Sequence, residues 1–208
     1  YKEAKKRGLS NIKTTPEALK VLTRTEVVKL FEQHNIMSNR EQHARYEIQL
    51  ETYMKKIQIE SRIMGEMALG QIIPSALKYQ NMLIENVKGL REVATAAAAK
   101  TVSSKKAVLA GGDYEEEGGK HAASNGADFN SLSSAQIETI REISEHVSAV
   151  KNNVYKMIEA RKKANSLEDA QEKAAAYCEY VKPYFDEIRL HADKLEFVVD
   201  DELWTLPK

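Results

Sequence analysis

The sequence predicts an all-α protein: an antiparallel bundle of long helices, one of them very long and kinked near Pro74, with short helices at the N-terminal end. Two stretches repeat side chains at steps of three and four residues without a break, a spacing that places them on one face of a helix. The first face comprises Ile140, Ile143, Val147, Val150, Val154, Met157 and Arg161. The second comprises Leu167, Ala170, Ala174, Tyr177, Val181, Tyr184, Ile188, His191 and Leu195.

The connection between these two helical stretches predicts a hairpin. Residues 163–166 are too few for any connection except an antiparallel reversal. Ser133-Ser134-Ala135-Gln136 is typical of a helix start, and so is Ser166-Leu167-Glu168-Asp169. We therefore expect helices over residues 134–164 and 167–195, each about 45 Å long at about 1.5 Å per residue. Their apolar faces would pack against each other at a shallow angle.

Helix-start signals also precede the longest helix. Thr15-Pro16-Glu17 combines an N-cap residue with a proline in the first turn, which predicts a short helix ending near Leu22. Thr23-Arg24-Thr25-Glu26 has the pattern of a capping box and predicts a second helix that ends near His34-Asn35. Ser38-Asn39-Arg40-Glu41 repeats the capping-box pattern.

The longest helix is predicted from residue 39 to about residue 108, because no turn signal occurs before Pro74. Since the apolar pattern resumes after Pro74, we expect this proline to kink the helix rather than end it. The hairpin can cover only half of this length, so residues from about 74 onward are expected to form a three-helix bundle with it. Residues 39–73 would pack elsewhere, on the 15–35 helices or on another domain. The apolar pattern before the proline is Tyr46, Leu50, Tyr53, Ile57, Met64 and Met67, interrupted by Glu60, and after it Leu77, Ile84, Val87 and Leu90.

Two segments lack a helical pattern. Residues 110–131 are predicted to be a flexible loop, because glycines and acidic residues dominate its first part. The run Glu115-Glu116-Glu117 lacks the spaced oxygen ligands of a cation site, and we interpret it as solvated. The tail, residues 197–208, is expected to dock Trp204 on an apolar surface. The predicted organisation is an exit segment over 1–35, a bundle over 36–196, and this tail.

Composition disfavours several classes of partner. The 208 residues include 31 basic and 31 acidic side chains, and the net charge of zero favours neither a nucleic acid nor an acidic membrane surface. No apolar run approaches the ~18–20 residues needed to span a bilayer, and the basic residues 1–7 are not followed by the core of a signal peptide. The single Cys178 excludes an internal disulfide. We therefore expect a soluble, cytoplasmic protein.

Motifs that carry chemistry are almost absent. The chain has no glycine-rich phosphate loop, His-Glu-x-x-His or Gly-x-Ser-x-Gly, and no histidine has a glutamate three residues before it, as a di-metal helical bundle requires. His191 with Glu187 one turn earlier could be a catalytic base, but we interpret it as a histidine hydrogen-bonded within the bundle. Glu60 is interpreted as a polar register residue or an interface contact. Helical spacing favours a core role over a ligand slot for Tyr46, Tyr53, Tyr177 and Tyr184. We predict no catalytic, cofactor-binding or metal-binding residue.

Several strings, in order along the chain, carry a resemblance to a known family. They are Lys6-Arg7-Gly8-Leu9-Ser10-Asn11, Thr14-Thr15-Pro16-Glu17-Ala18-Leu19, Leu30-Phe31-Glu32-Gln33-His34, Arg45-Tyr46-Glu47-Ile48, Ile73-Pro74-Ser75-Ala76-Leu77-Lys78-Tyr79-Gln80 and Asp200-Asp201-Glu202-Leu203-Trp204-Thr205-Leu206-Pro207. Together they resemble the C-terminal helical region of type III glutamine synthetases. The resemblance covers the chain except for about residues 95–130.

The resemblance implies a role but no site. Enzymes of this family join ammonia to glutamate with ATP and Mg²⁺ or Mn²⁺, and assemble into stacked hexameric rings. Their substrate, nucleotide and metal ligands lie in a catalytic domain upstream of the matching segment, and residues 1 to about 20 resemble the exit from that domain. The resemblance therefore implies a structural, oligomerising appendage, produced as an isolated fragment. Its partners would be the upstream catalytic domain and neighbouring subunits.

Two alternatives remain open at this point. The first is a freestanding helical scaffold that binds a partner helix along the stripe left exposed on residues 39–73. The second is a bundle enzyme or metalloprotein built around His191, His146 and nearby carboxylates.

Overall fold

The computed structural model describes residues 2–108 and 129–207, with side chains over 2–96 and 133–207. Within these ranges the chain is helical and contains no strand, which confirms the predicted all-α class. The predicted loop, including Glu115-Glu116-Glu117, lies largely outside the described residues. Its last residues, 129–131, belong to a helix.

Short helices form the N-terminal end of the molecule: α1 (Lys2–Lys6), α2 (Thr15–Lys20), a 3₁₀ turn (Val21–Thr23) and α3 (Thr25–Gln33). Pro16 lies in the first turn of α2, as predicted, and is buried. The predicted capping box at residues 23–26 is wrong. The Thr23 hydroxyl donates to the Lys20 carbonyl oxygen (3.0 Å) and closes the 3₁₀ turn, so Arg24 occupies the N-cap of α3 without a side-chain hydrogen bond.

The second predicted capping box, at the start of α4 (Asn39–Met67), is confirmed. The Ser38 backbone N–H donates to Glu41 Oε2 (2.8 Å), and the Glu41 N–H donates to Ser38 Oγ (3.4 Å). The hydrogen bonds from Ser38, its backbone N–H first, hold the pKa of the Glu41 carboxyl below its usual value. This cap fixes the residue at which the long helix begins.

The long helix passes through Pro74, as predicted. A π turn (Ala68–Ile72) joins α4 to α5 (Ile73–Val108), and the Ile73 N–H donates to the Ala68 carbonyl five residues earlier. The wider turn accommodates a proline, which lacks a donor and clashes with a regular preceding turn. It also rotates the buried face, because one extra residue enters the turn. Ala76 is fully buried and Leu77 is 42% exposed, against the prediction that Leu77 continues the buried stripe.

The predicted hairpin is present, but its helices begin at other residues than predicted. It consists of α6 (Phe129–Asn165), α7 (Ala170–Ala176), a second π turn (Tyr177–Val181) and α8 (Pro183–Val198). Helix α6 begins at Phe129 rather than near residue 134. Helix α7 begins after Asp169, whose carboxylate accepts the Glu172 N–H (2.8 Å), rather than after Ser166. The aspartate carboxylate therefore supplies the N-cap that the sequence suggested for the serine.

Helix α6 packs along the long helix on both sides of Pro74. Arg161 donates to the Ser61 hydroxyl (3.3 Å), and Gln80 Nε2 donates to the Ile140 carbonyl (2.9 Å). The prediction that residues 39–73 pack away from the hairpin is therefore wrong in part. They contact the 15–35 helices, as predicted, through the Gln42 amide and the Leu22 carbonyl (2.8 Å), but they also contact the hairpin.

One continuous core joins these helices and the tail. Tyr177 and Trp204 pack into it, and the docking of Trp204 confirms the prediction for the tail. Many of the residues predicted to form the two hairpin faces are buried, with exposed fractions of 1% or less for Ile143, Val150, Val154, Met157, Ala174, Tyr177, Val181, Ile188 and Leu195. The hairpin faces are thus used for internal packing.

Candidate functional site

The two histidines named in the bundle-enzyme alternative, His146 and His191, lie next to each other in the structure. His146 of α6 and His191 of α8 lie with their Nδ1 atoms 3.2 Å apart and their ring centroids 5.1 Å apart. One Nδ1 donates a proton and the other accepts it, which requires at least one neutral ring. The interpretation of His191 as a histidine hydrogen-bonded within the bundle is confirmed. Glu187, suggested as its orienting partner, lines a groove instead.

The surroundings of His146 favour its neutral form. Burial lowers the pKa of His146, and the nearby His191 and Lys194 lower it further. Glu142, with a carboxylate oxygen 3.8 Å from His146 Nε2, and Glu145 act in the opposite direction. In residues 2–96 and 133–207 no group of three or more histidine, cysteine, aspartate or glutamate side chains could hold a metal ion. The hydrogen bond between the two rings connects α6 to α8.

An open groove of about 950 Å³ runs between α6 and the α7–α8 side of the hairpin. We call it the hairpin groove. Its lining includes the small side chains of Ala160, Ala164 and Ala176 and the half-exposed rings of Tyr155 and Tyr180. Charged side chains line both sides, with Lys156, Glu159 and Lys163 on α6 and Glu179 and Glu187 on the other side. Small side chains between aromatic and charged ones suit a helix or another rod-shaped partner.

The four tyrosines do not share a ligand slot among the described residues. The Tyr46 hydroxyl donates to Gln171, and the Tyr177 hydroxyl donates to Asn165 Oδ1 (2.7 Å). Tyr53 lies beside Cys178, and burial raises the pKa of its phenol. Tyr184 lines the hairpin groove. The prediction of a core role holds for Tyr177 and in part for the other rings, which are half-buried.

A second apolar face of α4 remains exposed, and we call it the α4 stripe. It consists of Ile48, Ile59, Ile63 and Met67, with exposed fractions of 61%, 56%, 49% and 36%. At about 100° per residue these positions lie on the side of α4 opposite Leu50 and Ile57, which are buried. Met67 was expected in the buried stripe and lies at the edge of the exposed one instead. Glu60 is exposed on the same helix.

The sequence signal for the α4 stripe is the spacing of its isoleucines, at steps of 11 and 4 residues. That spacing is helical, but it overlaps with the buried pattern on the same helix, so the two faces are difficult to separate without the structure. No helix among the described residues has the length and apolar character needed to cross a membrane.

The fold and its surfaces define a helical-bundle domain with exposed apolar surface, and the comparisons show which proteins it resembles. Residues 1–91 match the model of the glutamine synthetase C-terminal domain. Over 206 residues the chain is 39% identical to a glutamine synthetase of Bacteroides fragilis (strain YCH46). It is 26% identical over 205 residues to the type-3 glutamine synthetase of Dictyostelium discoideum, and 29% identical over 205 residues to a glutamine synthetase of Butyrivibrio fibrisolvens.

These matches confirm the family resemblance. Residues 1–91 are similar to the C-terminal domain of glutamine synthetases, and the chain is similar along almost its whole length to one segment of such enzymes. Each relative is matched over 99% of this chain but only 24% of its own length, so the chain spans about a quarter of the relatives. The described side chains do not form a metal-ligand cluster, so the metal ions that the family resemblance implies have no fitting site within them.

Proposed function

We propose that this chain is a structural and oligomerisation appendage of a type III glutamine synthetase. The full-length form would ligate ammonia to glutamate in the cytoplasm, using ATP and Mg²⁺ or Mn²⁺ held by residues outside this chain. The type-3 assignment rests on the Dictyostelium discoideum relative. The appendage itself performs no chemistry. It packs against the catalytic domain and neighbouring subunits.

The α4 stripe is the observation that supports this role. Helix α4 buries one face against α7 and the N-terminal helices and still carries three isoleucines that are each about half exposed or more. A helix that is apolar on two opposite faces is typical of a layer buried on both sides. Because the relatives are about four times as long as this chain, the missing layer can come from the same enzyme.

The experiment introduces charges on the stripe of the full-length enzyme. Burying two carboxylates in an apolar interface without partners is strongly unfavourable, so Ile59→Glu with Ile63→Glu should dissociate the assembly or release the appendage. Sedimentation velocity measures the assembly, and limited proteolysis measures release. Both residues are exposed in the isolated appendage, so its own melting temperature should change little.

Phe197→Glu is the matched control. Phe197 is 91% exposed on α8 and lies outside the α4 stripe and the hairpin groove. The proposal predicts native assembly for this variant and disrupted assembly for the stripe variant. If the stripe variant sediments and resists proteolysis as the parent enzyme does, the stripe has no docking role and the proposal fails.

A further inference from the structure

The two sides of the hairpin groove carry opposite charges. On α6, Glu159 is neutralised by Lys162 (2.7 Å), which leaves Lys156 and Lys163. The opposite side carries Glu179 and Glu187. In the part of the chain that the structure describes, these last four side chains form no ion pair, and all four are exposed. The groove therefore presents a basic side and an acidic side that are both available to a partner.

The charges on the two sides have matching spacings. Lys156 and Lys163 are seven residues apart, about 10.5 Å along the helix, and Glu179 and Glu187 are eight residues apart, about 12 Å. The two sides run antiparallel, and the Tyr177–Asn165 hydrogen bond fixes their relative level at one end. Lys163 is therefore level with Glu179, and Lys156 lies within one helical turn of the level of Glu187.

We propose that the hairpin groove binds the same groove of a second copy of this chain, about a two-fold axis parallel to α6. Such an axis places α6 of one copy over α8 of the other. Lys163 then faces the other copy's Glu179, and Lys156 faces its Glu187. The symmetry repeats both pairs, and the small side chains of both grooves pack into one four-helix bundle made of two hairpins.

The charge pattern selects this axis and this occupant. A two-fold axis across the helices would instead place α6 over α6 and bring the lysines of both copies together, which is unfavourable. A second copy provides the complementary pattern at the required spacing without any further assumption. This inference extends the proposed oligomerisation role and rests on it, but it uses a surface different from the α4 stripe.

The test is a charge reversal and its complementation in the 208-residue chain, followed by sedimentation equilibrium. Ile59→Glu and Ile63→Glu are present throughout, so that the α4 stripe does not contribute. The acidic variant carries Lys156→Glu and Lys163→Glu, and the basic variant carries Glu179→Lys and Glu187→Lys. Each variant alone replaces four favourable contacts per dimer with repulsive ones, so its dimer dissociation constant should rise about tenfold or more.

Mixing the two variants distinguishes a specific interface from a general charge effect. In an equimolar mixture every acidic position of one chain faces a lysine of the other, so a heterodimer should form with an affinity similar to that of the parent. Lys88→Glu on α5, an exposed residue outside the groove, is the control and should leave the parent dimer intact. Circular dichroism verifies that each variant retains its helical content.

The outcomes separate this inference from the proposed function. A parent chain that stays monomeric, variants that dimerise as tightly as the parent, or a mixture that does not associate would each overturn the groove dimer. None of these results affects the assembly test on the α4 stripe. Conversely, the 208-residue chain could form the groove dimer while the stripe variant of the full-length enzyme assembles normally. That result would overturn only the docking role of the stripe.

Discussion

Two π turns occur among the described residues, and each lies just before a proline in a helix, in different surroundings. In each, an N–H donates to the carbonyl five residues earlier, Ile73 to Ala68 and Lys182 to Tyr177, and a proline follows immediately. The first turn buries only aliphatic side chains, Ala68 and Ile72. The second buries a tyrosine and exposes charged and aromatic side chains along the hairpin groove.

The difference indicates what each turn contributes. The first turn lets the long helix follow α6 past Pro74, and its outer side at Gly70 faces open space. The second is attached to α6 by a polar contact, because the Tyr177 hydroxyl donates to Asn165 at the end of that helix. We therefore expect the second turn to contribute more to stability than the first.

Tyr177→Ala should have the largest effect. The ring is 1% exposed, and removing a buried aromatic side chain costs about 3–5 kcal/mol through lost burial and the cavity left behind. Urea denaturation of the 208-residue chain measures the loss. Tyr177→Phe keeps the ring and removes only the hydrogen bond, so it should cost about 0.5–1.5 kcal/mol. A loss in Tyr177→Phe as large as that in Tyr177→Ala would show that packing is not the main contribution.

Ile72→Ala, at the first π turn, should cost less, about 2–3 kcal/mol, because Ile72 is smaller and 7% exposed. Leu69, on the outer side of the same turn, is 36% exposed, and Leu69→Ala should cost under about 1 kcal/mol. The same urea experiment measures both. If Ile72→Ala destabilises the chain more than Tyr177→Ala, the ranking of the two turns is wrong.

The sequence predicted the elements better than their boundaries, and the two prolines show why. Pro74 stood out because an uninterrupted apolar pattern flanked it, and the predicted continuation of the helix is confirmed. The π turn before Pro183 has no sequence signal, because the apolar residues around it keep a spacing of three and four residues despite the extra residue in the turn. After Pro74 the same extra residue moved burial from Leu77 to Ala76, a shift that depends on tertiary packing rather than on local pattern.

The surfaces were less predictable than the core for a related reason. Burial at Leu50 and exposure at Ile59 both follow helical spacing, and the positions of the hairpin and the N-terminal helices determine which face is covered. The hairpin groove likewise depends on the distance between two helices.

Of the two capping boxes that the sequence predicts, only the one at the start of α4 forms. Ser38 caps its helix through contacts with Glu41 in the first turn, whereas Thr23 is drawn into a 3₁₀ turn.

A pH dependence is expected from the contact between His146 of α6 and His191 of α8. Burial, then His191 and Lys194, lowers the pKa of His146 in the folded chain below the ordinary value of 6.5. The unfolded chain therefore binds more protons between these two pKa values. The free energy of unfolding falls as the pH drops through 6.5 towards the folded pKa, and this contribution is constant above 6.5.

Urea denaturation at about pH 7.5 and about pH 5.5 measures this dependence. His146→Gln lacks the titrating ring and should lose this part of the pH dependence, while His43→Gln, an exposed residue of α4, should retain it. Glu142 and Glu145 reduce the shift, so Glu142→Gln should steepen the dependence. Equal pH dependence in the parent chain and His146→Gln would show that His146 is not the source of this dependence.

The smallest expected effect is a gain in stability at Gly65, one turn before the first π turn. Gly65 is buried in regular helix, and a Cβ there would meet Val154 Cγ1 at 3.6 Å, an ordinary contact. Gly65→Ala should therefore stabilise the chain by about 0.5–1 kcal/mol, the usual difference between these residues in a helix. Gly70→Ala places its methyl group in open space inside the π turn. Gly70→Ala could stabilise the chain as much as Gly65→Ala does. In that case the π turn tolerates a side chain as a regular helix does, and packing rather than the glycine maintains the turn.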